Sequence, residues 1–271
     1  MNRLHVSDRF RLIDLALLLF ISFALTMTLS MIDPDLPSNQ PTSPVSCEFF
    51  NTSGQLPQEL QVVNWNIAKE PLAKVREALH NTSVNLLVLQ ESAVDEGFLF
   101  SPGHRALETT GVALESRVSP SKVCHWQSFE PIMLTPKAAI AASFPIAGSE
   151  DELLVINLHG VNFSWLLGTW KRQIRTAALL AKSHKGPIIL AGDLNTWRYE
   201  RSRFIKQVAE ELGLAQPAYV EDNRTAPFGY PLDWILSRGI NWTEVSAPNA
   251  ELSDHNPILA TGIIVTTAAE D

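Results

Sequence analysis

The chain has 271 residues and 30.0 kDa, is 45% hydrophobic and only 18% charged; that suits one large domain or two small ones with a sizeable core, and excludes a disordered chain. A formal net charge of −8 and a pI near 5.4 argue against a broad basic face holding nucleic acid through counterion release, while leaving open an enzyme that touches it briefly. Two cysteines, with no Cys-x-x-Cys pair, exclude a disulfide scaffold and a thiolate zinc site.

The first element is Leu15 to Ile32, an uncharged apolar run near the lower limit for a helix that spans a bilayer. Its polar positions are scattered Ser and Thr, without the stripe of a soluble amphipathic helix. Arg3, Arg9 and Arg11 precede it, Asp33 and Asp35 follow, and the next basic residue is Lys69. The positive-inside rule then places the N-terminus in the cytoplasm and the body on the periplasmic or extracytoplasmic side. No clear small-x-small site closes the run, so residues 1–32 read as an uncleaved single-pass anchor rather than a signal peptide. Residues 33–58, rich in Pro, Ser, Asn and Gln, read as a linker that reaches about 30 Å as a flexible coil. Residues 59–271 form the body, and beyond the anchor the chain carries 18 Lys and Arg against 27 Asp and Glu. Cys47 and Cys124 either pair outside the cytoplasm or remain two ordinary thiols.

From Leu60 on, short apolar runs alternate with segments of helical spacing, the pattern of a mixed α/β domain. Expected strands are Leu60–Asn64, Leu86–Leu89, Ala138–Ala142, Leu153–Leu158, Ile188–Ala191, Trp234–Leu236 and Ile258–Val265. Expected helices are Leu72–His80, Leu166–His184, stopped by Gly186-Pro187, and Arg203–Leu212.

Most of these strands end in a carboxylate, an amide or an imidazole: VVNWN at 62–66, LLVLQE at 86–91, LLVINLH at 153–159, IILAGDLN at 188–195, PLDWIL at 231–236 and ELSDHNP at 251–257. Any one of them is an ordinary turn or cap sequence. Together they supply hard oxygen ligands (Glu91, Asp193, Asp254), neutral amides (Asn66, Asn195) and proton-transfer groups (His159, His255). Hard oxygens suit magnesium or manganese, and magnesium held by few carboxylates works on phosphate oxygens, which points to phosphoester hydrolysis.

The ordered set WN, QE, NLH, GDLN, LDWIL and SDHNP resembles the endonuclease/exonuclease/phosphatase superfamily across about residues 60–265. That superfamily includes pancreatic-type deoxyribonuclease, abasic-site endonucleases, neutral sphingomyelinases and inositol-phosphate phosphatases. HGVNFS at 159–164, EPIMLTPKAAI at 130–140 and PLDWILSRGINWTEV at 231–245 look like its YafD-like bacterial branch. The resemblance implies a four-layer α/β sandwich of two mostly antiparallel sheets flanked by helices, here preceded by one transmembrane helix, with the site in a cleft at one end. It implies that Glu91 and Asn66 hold the divalent cation, Mg2+ or Mn2+, with Asp254 at the metal edge. Asp193 would orient or deprotonate the attacking water and Asn195 would contact the phosphate. His255 would contact the scissile phosphate, with Asp233 fixing its tautomer. His159 follows the Asn-Leu strand as in relatives of the pancreatic nuclease and the sphingomyelinases, where abasic-site endonucleases use Tyr; it would serve as general acid.

The expected function is therefore a Mg-dependent phosphodiester hydrolase, nuclease-like, with a membrane-tethered phospholipid or sphingomyelinase-type phosphodiesterase or phosphatase as the alternative and a non-catalytic module as the third reading. Trp197 and Arg198, directly after the Gly-Asp-x-Asn motif, are candidates for substrate contact, and Lys69 and Lys137 are candidates for phosphate. Partners expected are a nucleic acid or phospholipid headgroup substrate and the membrane, with no obligate protein partner. An exposed apolar loop beside the cleft would favour lipid, and a positive groove would favour nucleic acid.

Overall fold

The computed structural model describes residues 44–79, 84–93, 99–104, 110–130, 136–164 and 167–266. In chain order the elements begin β1 (Ser46–Phe49), β2 (Glu59–Asn66), α1 (Leu72–Ala78), β3 (Leu86–Ala93), β4 (Leu99–His104), β5 (Thr110–Ser116) and β6 (Lys122–Phe129). They continue with β7 (Pro136–Pro145), β8 (Glu152–Leu158), α2 (Gly168–Ser183), β9 (Ile188–Asp193) and α3 (Tyr199–Leu212). The last are β10 (Glu221–Asp222), β11 (Asp233–Arg238), β12 (Ile240–Ala247) and β13 (Ile258–Ile264), with a 3-10 turn at Pro227–Gly229 before β11.

The strands form two sheets, ordered β1-β6-β7-β8-β9-β11 and β10-β12-β13-β2-β3-β5-β4. Pairing is antiparallel except for β8 with β9, β2 with β3 and the short β10 with β12. Three apolar clusters mark the layers. The first, including Val62, Leu86, Val88, Ile140, Val155 and Ile235, fills the space between the sheets. The second joins α2 and α3, through Trp170, Ile174, Phe204 and Val208, to the outer face of the first sheet. The third packs Val75 of α1 on Val63, Trp65, Leu87 and Leu89 of the second sheet. The result is the expected helix–sheet–sheet–helix layering, because strands buried on both faces read as continuous apolar runs and each outer helix buries one stripe. In α3 that stripe ends at Gly213, whose left-handed φ of 64° lets Leu214 N–H reach back to Ala209 C=O at 2.8 Å.

All seven expected strands are present, six of them longer at one or both ends and the last, ending at Ile264, one residue shorter. Sequence alone misses β1, β4, β5, β6, β10 and β12. These are short or carry mixed polarity, and β12 is half exposed along its length, so alternation is weak where only one face packs. His80 and the start of the expected 166–184 helix lie outside the described residues or its observed bounds. So does the expected span Leu15–Ile32; among the described residues no helix is long and apolar enough to cross a membrane.

The expected linker is shorter than 33–58. Strand β1 pairs antiparallel with β6, and Cys47 sits directly opposite Cys124, to which it is disulfide-bonded. Leu56 is buried and exchanges backbone hydrogen bonds with Pro145 and Ala147, each at 2.8 Å. Composition misleads here because an edge strand needs only one hydrogen-bonding side, which a Pro- and Ser-rich segment can supply.

The disulfide closes a loop with a sequence separation of 77, which restricts the unfolded chain. The double variant C47S/C124S is expected to lose about 2–4 kcal/mol of unfolding free energy, measured by denaturant titration under oxidising conditions. Equal stability of variant and wild type would show that the bridge adds nothing to the fold.

Candidate active site

Polar and charged side chains converge at the end of the sandwich where β2, β3, β8 and β9 finish and β7 and β11 begin. Their placement is local in origin. Asn66 is the last residue of β2, and Asp193 the last of β9. Gly192, at φ 143°, has no room for a Cβ, which would lie 2.0 Å from Leu158 C=O. That approach presses the end of β9 against β8 and sets Asp193 beside His159. Glu91 interrupts β3 at a bulge between Gln90 and Ser92, with φ 52°. The left-handed residue turns its side chain out of the strand alternation. Asn195 is held at φ 52° in the turn after Asp193, whose Oδ1 accepts Asn195 N–H at 2.9 Å.

Asp193 is the centre of the group. Its Oδ2 accepts Asn66 Nδ2 at 3.1 Å and lies 3.5 Å from His159 Nε2 and 4.0 Å from His255 Nε2. His255 Nδ1 meets Asp233 Oδ2 at 2.7 Å. Lys137 Nζ donates to His159 Nε2 at 2.9 Å, and Glu91 Oε1 lies 3.7 Å from the same nitrogen. The structure therefore brings together Asn66, Glu91, His159, Asp193, Asn195, Asp233 and His255. Asp254 is exposed at the edge, where Ser253 Oγ reaches its Oδ1 at 3.4 Å. Trp197 bonds Asn162 Oδ1 through its indole at 2.9 Å, and the Arg198 guanidinium stacks over it, 5.5 Å from the ring centroid.

The two imidazoles are driven in opposite directions. Burial pushes His255 down, but the Asp233 carboxylate and its hydrogen bond, with Asp193 and Asp254, outweigh burial and raise it to about 10. Burial, Lys137 and His255 all push His159 well below its ordinary value. One ring is a cation and the other is neutral at pH 7. Burial also raises Asp193 above the ordinary carboxylate range, against the opposing field of His255.

The loops that carry these residues are pinned by buried indoles. Trp65 Nε1 donates to His255 C=O at 2.7 Å, Trp170 Nε1 to Leu194 C=O at 2.8 Å, and Trp234 Nε1 to Thr196 Oγ1 at 2.6 Å. Arg201, fully buried, donates to the carbonyls of Val161, Asn162 and Asn195 at 2.7–2.9 Å. Sequence offers it, after the Gly-Asp-x-Asn motif, as a basic residue that could touch substrate; its buried role was not expected. The signal was available, since Arg201 is in helical register with Ile205, Val208 and Leu212 on the buried face of α3, and a charge on an apolar stripe needs a partner. Glu130, also unexpected, accepts Asn162 N–H at 2.9 Å.

Two sets of donors could hold a cation. Asp193, Asp233 and His255 offer atoms within 4.8 Å of one another, but His255 spends Nδ1 on Asp233 and is itself cationic. Glu91 fits better: among the described residues no Lys or Arg pairs with it, and the imidazole 3.7 Å from it, His159, is neutral. Asn66 gives its Nδ2 to Asp193, leaving Oδ1 towards the turn where it accepts Ala68 N–H at 3.1 Å. Lys69 N–H in that turn bonds Glu91 C=O at 3.1 Å. A carboxylate and an amide oxygen supplied by the adjacent strands β2 and β3 suit a hard divalent cation.

The Endonuclease/Exonuclease/phosphatase family model matches residues 63–255, which span the whole of this cluster. The chain belongs to that family. A UPF0294 protein of Vibrio campbellii is 31% identical over 92% of this chain and 95% of its own length. A UPF0294 protein of Vibrio cholerae is 34% identical over 82% and 84%. These are the YafD-like relatives that the sequence resembled. Among solved structures, the endonuclease/exonuclease/phosphatase of Bacteroides vulgatus superposes with a TM-score of 0.58 at 14% identity, covering 76% of this chain and 99% of that one. The human Nocturnin catalytic domain with bound sulfate gives 0.58 at 15%, covering 79% and 97%. The 3' phosphatase NExo from Neisseria, bound to product DNA hairpin, gives 0.52 at 21%, covering 74% and 98%. At such identities the structural matches establish the family fold.

The charge states carry a pH dependence. His255 is raised in the fold, so its ion pair stabilises fully below the unfolded value near 6.5 and is lost as pH rises through about 10. His159 is lowered, so it stabilises above that unfolded value and costs stability as pH falls below it. Metal-free His255→Gln is expected to lose the decline in melting temperature that the wild type shows between pH 7 and 10. Parallel curves for the two proteins would place the pair's titration elsewhere.

Proposed function

We propose that this protein hydrolyses phosphodiesters with a bound divalent cation, magnesium or manganese. The observation that carries the reading is Asp193 Oδ2 standing 3.5 Å from a neutral imidazole and 4.0 Å from a cationic one. In-line attack at phosphorus needs a base for water, a cation for the equatorial oxygens and a proton for the leaving oxygen. Asp193, raised by burial towards neutral pH, receives or orients the water. His255, held protonated by Asp233, places a fixed positive charge against a phosphate oxygen, and Asn195 adds the amide beside it. Lys137 and His159 serve the leaving oxygen: a bound phosphate puts negative charge between them, which restores proton affinity that burial and Lys137 suppress in the free protein. Glu91 and Asn66 hold the cation, with Asp254 at its edge; when bound it neutralises charge on the phosphate and polarises the P–O bonds.

The family neighbours include proteins named as a 3' phosphatase and a mannosyl-6-phosphatase, which supports phosphoester chemistry on this fold. We further propose that the body lies outside the cytoplasm, tethered by residues 1–32. The Cys47–Cys124 bridge supports that side, because disulfides persist in oxidising compartments, and the arginine flank gives the same orientation.

Purified full-length protein is expected to hydrolyse bis(p-nitrophenyl) phosphate with Mg2+ and to lose activity in chelator; hydrolysis indifferent to chelator would refute the metal requirement. Glu91→Gln should raise the Mg2+ concentration for half-activation about tenfold or more, and an unchanged titration would remove Glu91 from the metal site. Asp233→Asn, which leaves His255 without its countercharge, should lower kcat about 100-fold or more. Near-normal kcat in that variant would dismiss the Asp233–His255 pair from catalysis.

A further inference from the structure

Beside Asn195 the cleft opens into a cavity of about 320 Å³ whose lining includes Asn162, Phe163, Trp197, Phe228 and Leu232. Its mouth is apolar and exposed. Phe228 is 85% and Phe163 48% exposed, and Phe129, at the site end of β6, is 55% exposed. Phe129 and Phe163 flank the hydrogen bond from Asn162 N–H to Glu130 Oε1. Phe228 is also strained: it holds φ 57° in the Pro227–Gly229 turn, a region that a bulky residue enters at a cost. An exposed ring gains little from the fold, so a strained and exposed Phe at the site's edge is a feature kept for contact with something else.

The entry of the chain says what lies opposite. Strand β8 runs towards the site; β7 is antiparallel to it, β6 to β7, and β1 to β6. Strand β1 therefore runs away from the site end, with Ser46 at its site-side end. Cys47, bonded to Cys124, fixes the direction of β1 on β6. Residues 33–43, between the proposed anchor and the first described residue, extend at most about 40 Å. The aromatic rim and the start of β1 thus belong to one end of the molecule. Beyond the anchor the chain has an excess of acidic residues, 27 against 18, so a lipid surface would be met through apolar contact rather than basic charge.

We propose that Phe129, Phe163 and Phe228 seat this end on a bilayer, and that the cavity beneath takes the apolar part of a zwitterionic phospholipid whose phosphodiester faces Asp193. The proposal rests on the hydrolase reading and names its substrate. In the reaction water's oxygen bonds to phosphorus, one P–O ester bond breaks with its electron pair on the alcohol oxygen, and that oxygen gains a proton. The products are an alcohol and a phosphate monoester.

The test uses the full chain in nanodiscs of phosphatidylethanolamine and phosphatidylcholine with Mg2+, followed by phosphorus NMR, which detects loss of the diester whichever ester bond breaks. Bis(p-nitrophenyl) phosphate and supercoiled plasmid are assayed in parallel. Lipid diester should be consumed by wild type and at least about tenfold more slowly by Phe228→Asn, since Asn tolerates the left-handed backbone and melting curves verify folding. Phe228→Leu, apolar at the same place, should restore the rate. Intact lipid alongside plasmid nicking or hydrolysis of the soluble diester would overturn the lipid assignment while leaving the hydrolase reading standing. Lipid turnover indifferent to both Phe228→Asn and Phe163→Ser would remove the rim from the account. Metal-dependent hydrolysis of none of the three would sink the hydrolase reading itself.

Discussion

The two sheets meet across an apolar interface crossed by one seam of polar contacts, and the site exists only where that seam is made. Gln90 of the second sheet donates to Asn64 Oδ1 at 2.9 Å and, across the interface, to Asn157 Oδ1 at 2.8 Å. Asn157 returns its amide protons to Leu89 and Ala113 C=O at 2.9 and 2.8 Å. Further along, Asn66 reaches Asp193 and Asp233 reaches His255. Asn64, Gln90 and Asn157 are fully buried, and a buried amide without its partner is expensive. Apolar surfaces can slide against one another at little cost, whereas this row of amides matches in one register. It brings the halves of the site, Asn66, Glu91 and His255 from one sheet and His159, Asp193 and Asp233 from the other, to hydrogen-bonding distance.

The same burial that makes the seam selective makes the site costly. Two carboxylates and two imidazoles sit within a few ångströms of one another, largely out of water. The protein accommodates them by dividing the charge: His255 answers Asp233 and Asp193, while burial and Lys137 keep His159 neutral. Backbone strain at Glu91 and Asn195 is retained in the same place. Local rules are broken together where chemistry is to be done, and the surrounding indoles and Arg201 supply the constraint that holds the broken rules in place.

Much of the site was legible because its residues close strands. Asn66, His159, Asp193 and Asp233 stand at the ends of apolar runs, and a run that ends in a carboxylate shows in one dimension. Glu91 was found by the same rule for an incomplete reason, since its orientation comes from a bulge that no alternation announces. The layering was legible from helix and strand periods, whereas β4, β6 and β12 were not, because edge and half-buried strands lack a pattern that survives without their neighbours, and β5, though buried, carries mixed polarity. Arg201 and the Gln90–Asn157 contact depend on which strand lies opposite which, and that is a property of the folded pair. The aromatic rim was equally hidden: a Phe in sequence looks like core, and only the fold shows that Phe228 faces outward.

The bond between Cys47 and Cys124 also alters what a protease can achieve. A single backbone cut in the stretch between them would leave the two fragments joined through sulfur, with the body still attached to whatever the N-terminal segment holds. Shedding the body by a cut there would need a reductant as well as a protease, whereas a cut before Cys47 would suffice alone. The position of the bridge thus divides the chain into a region where cleavage releases the body and a region where it does not.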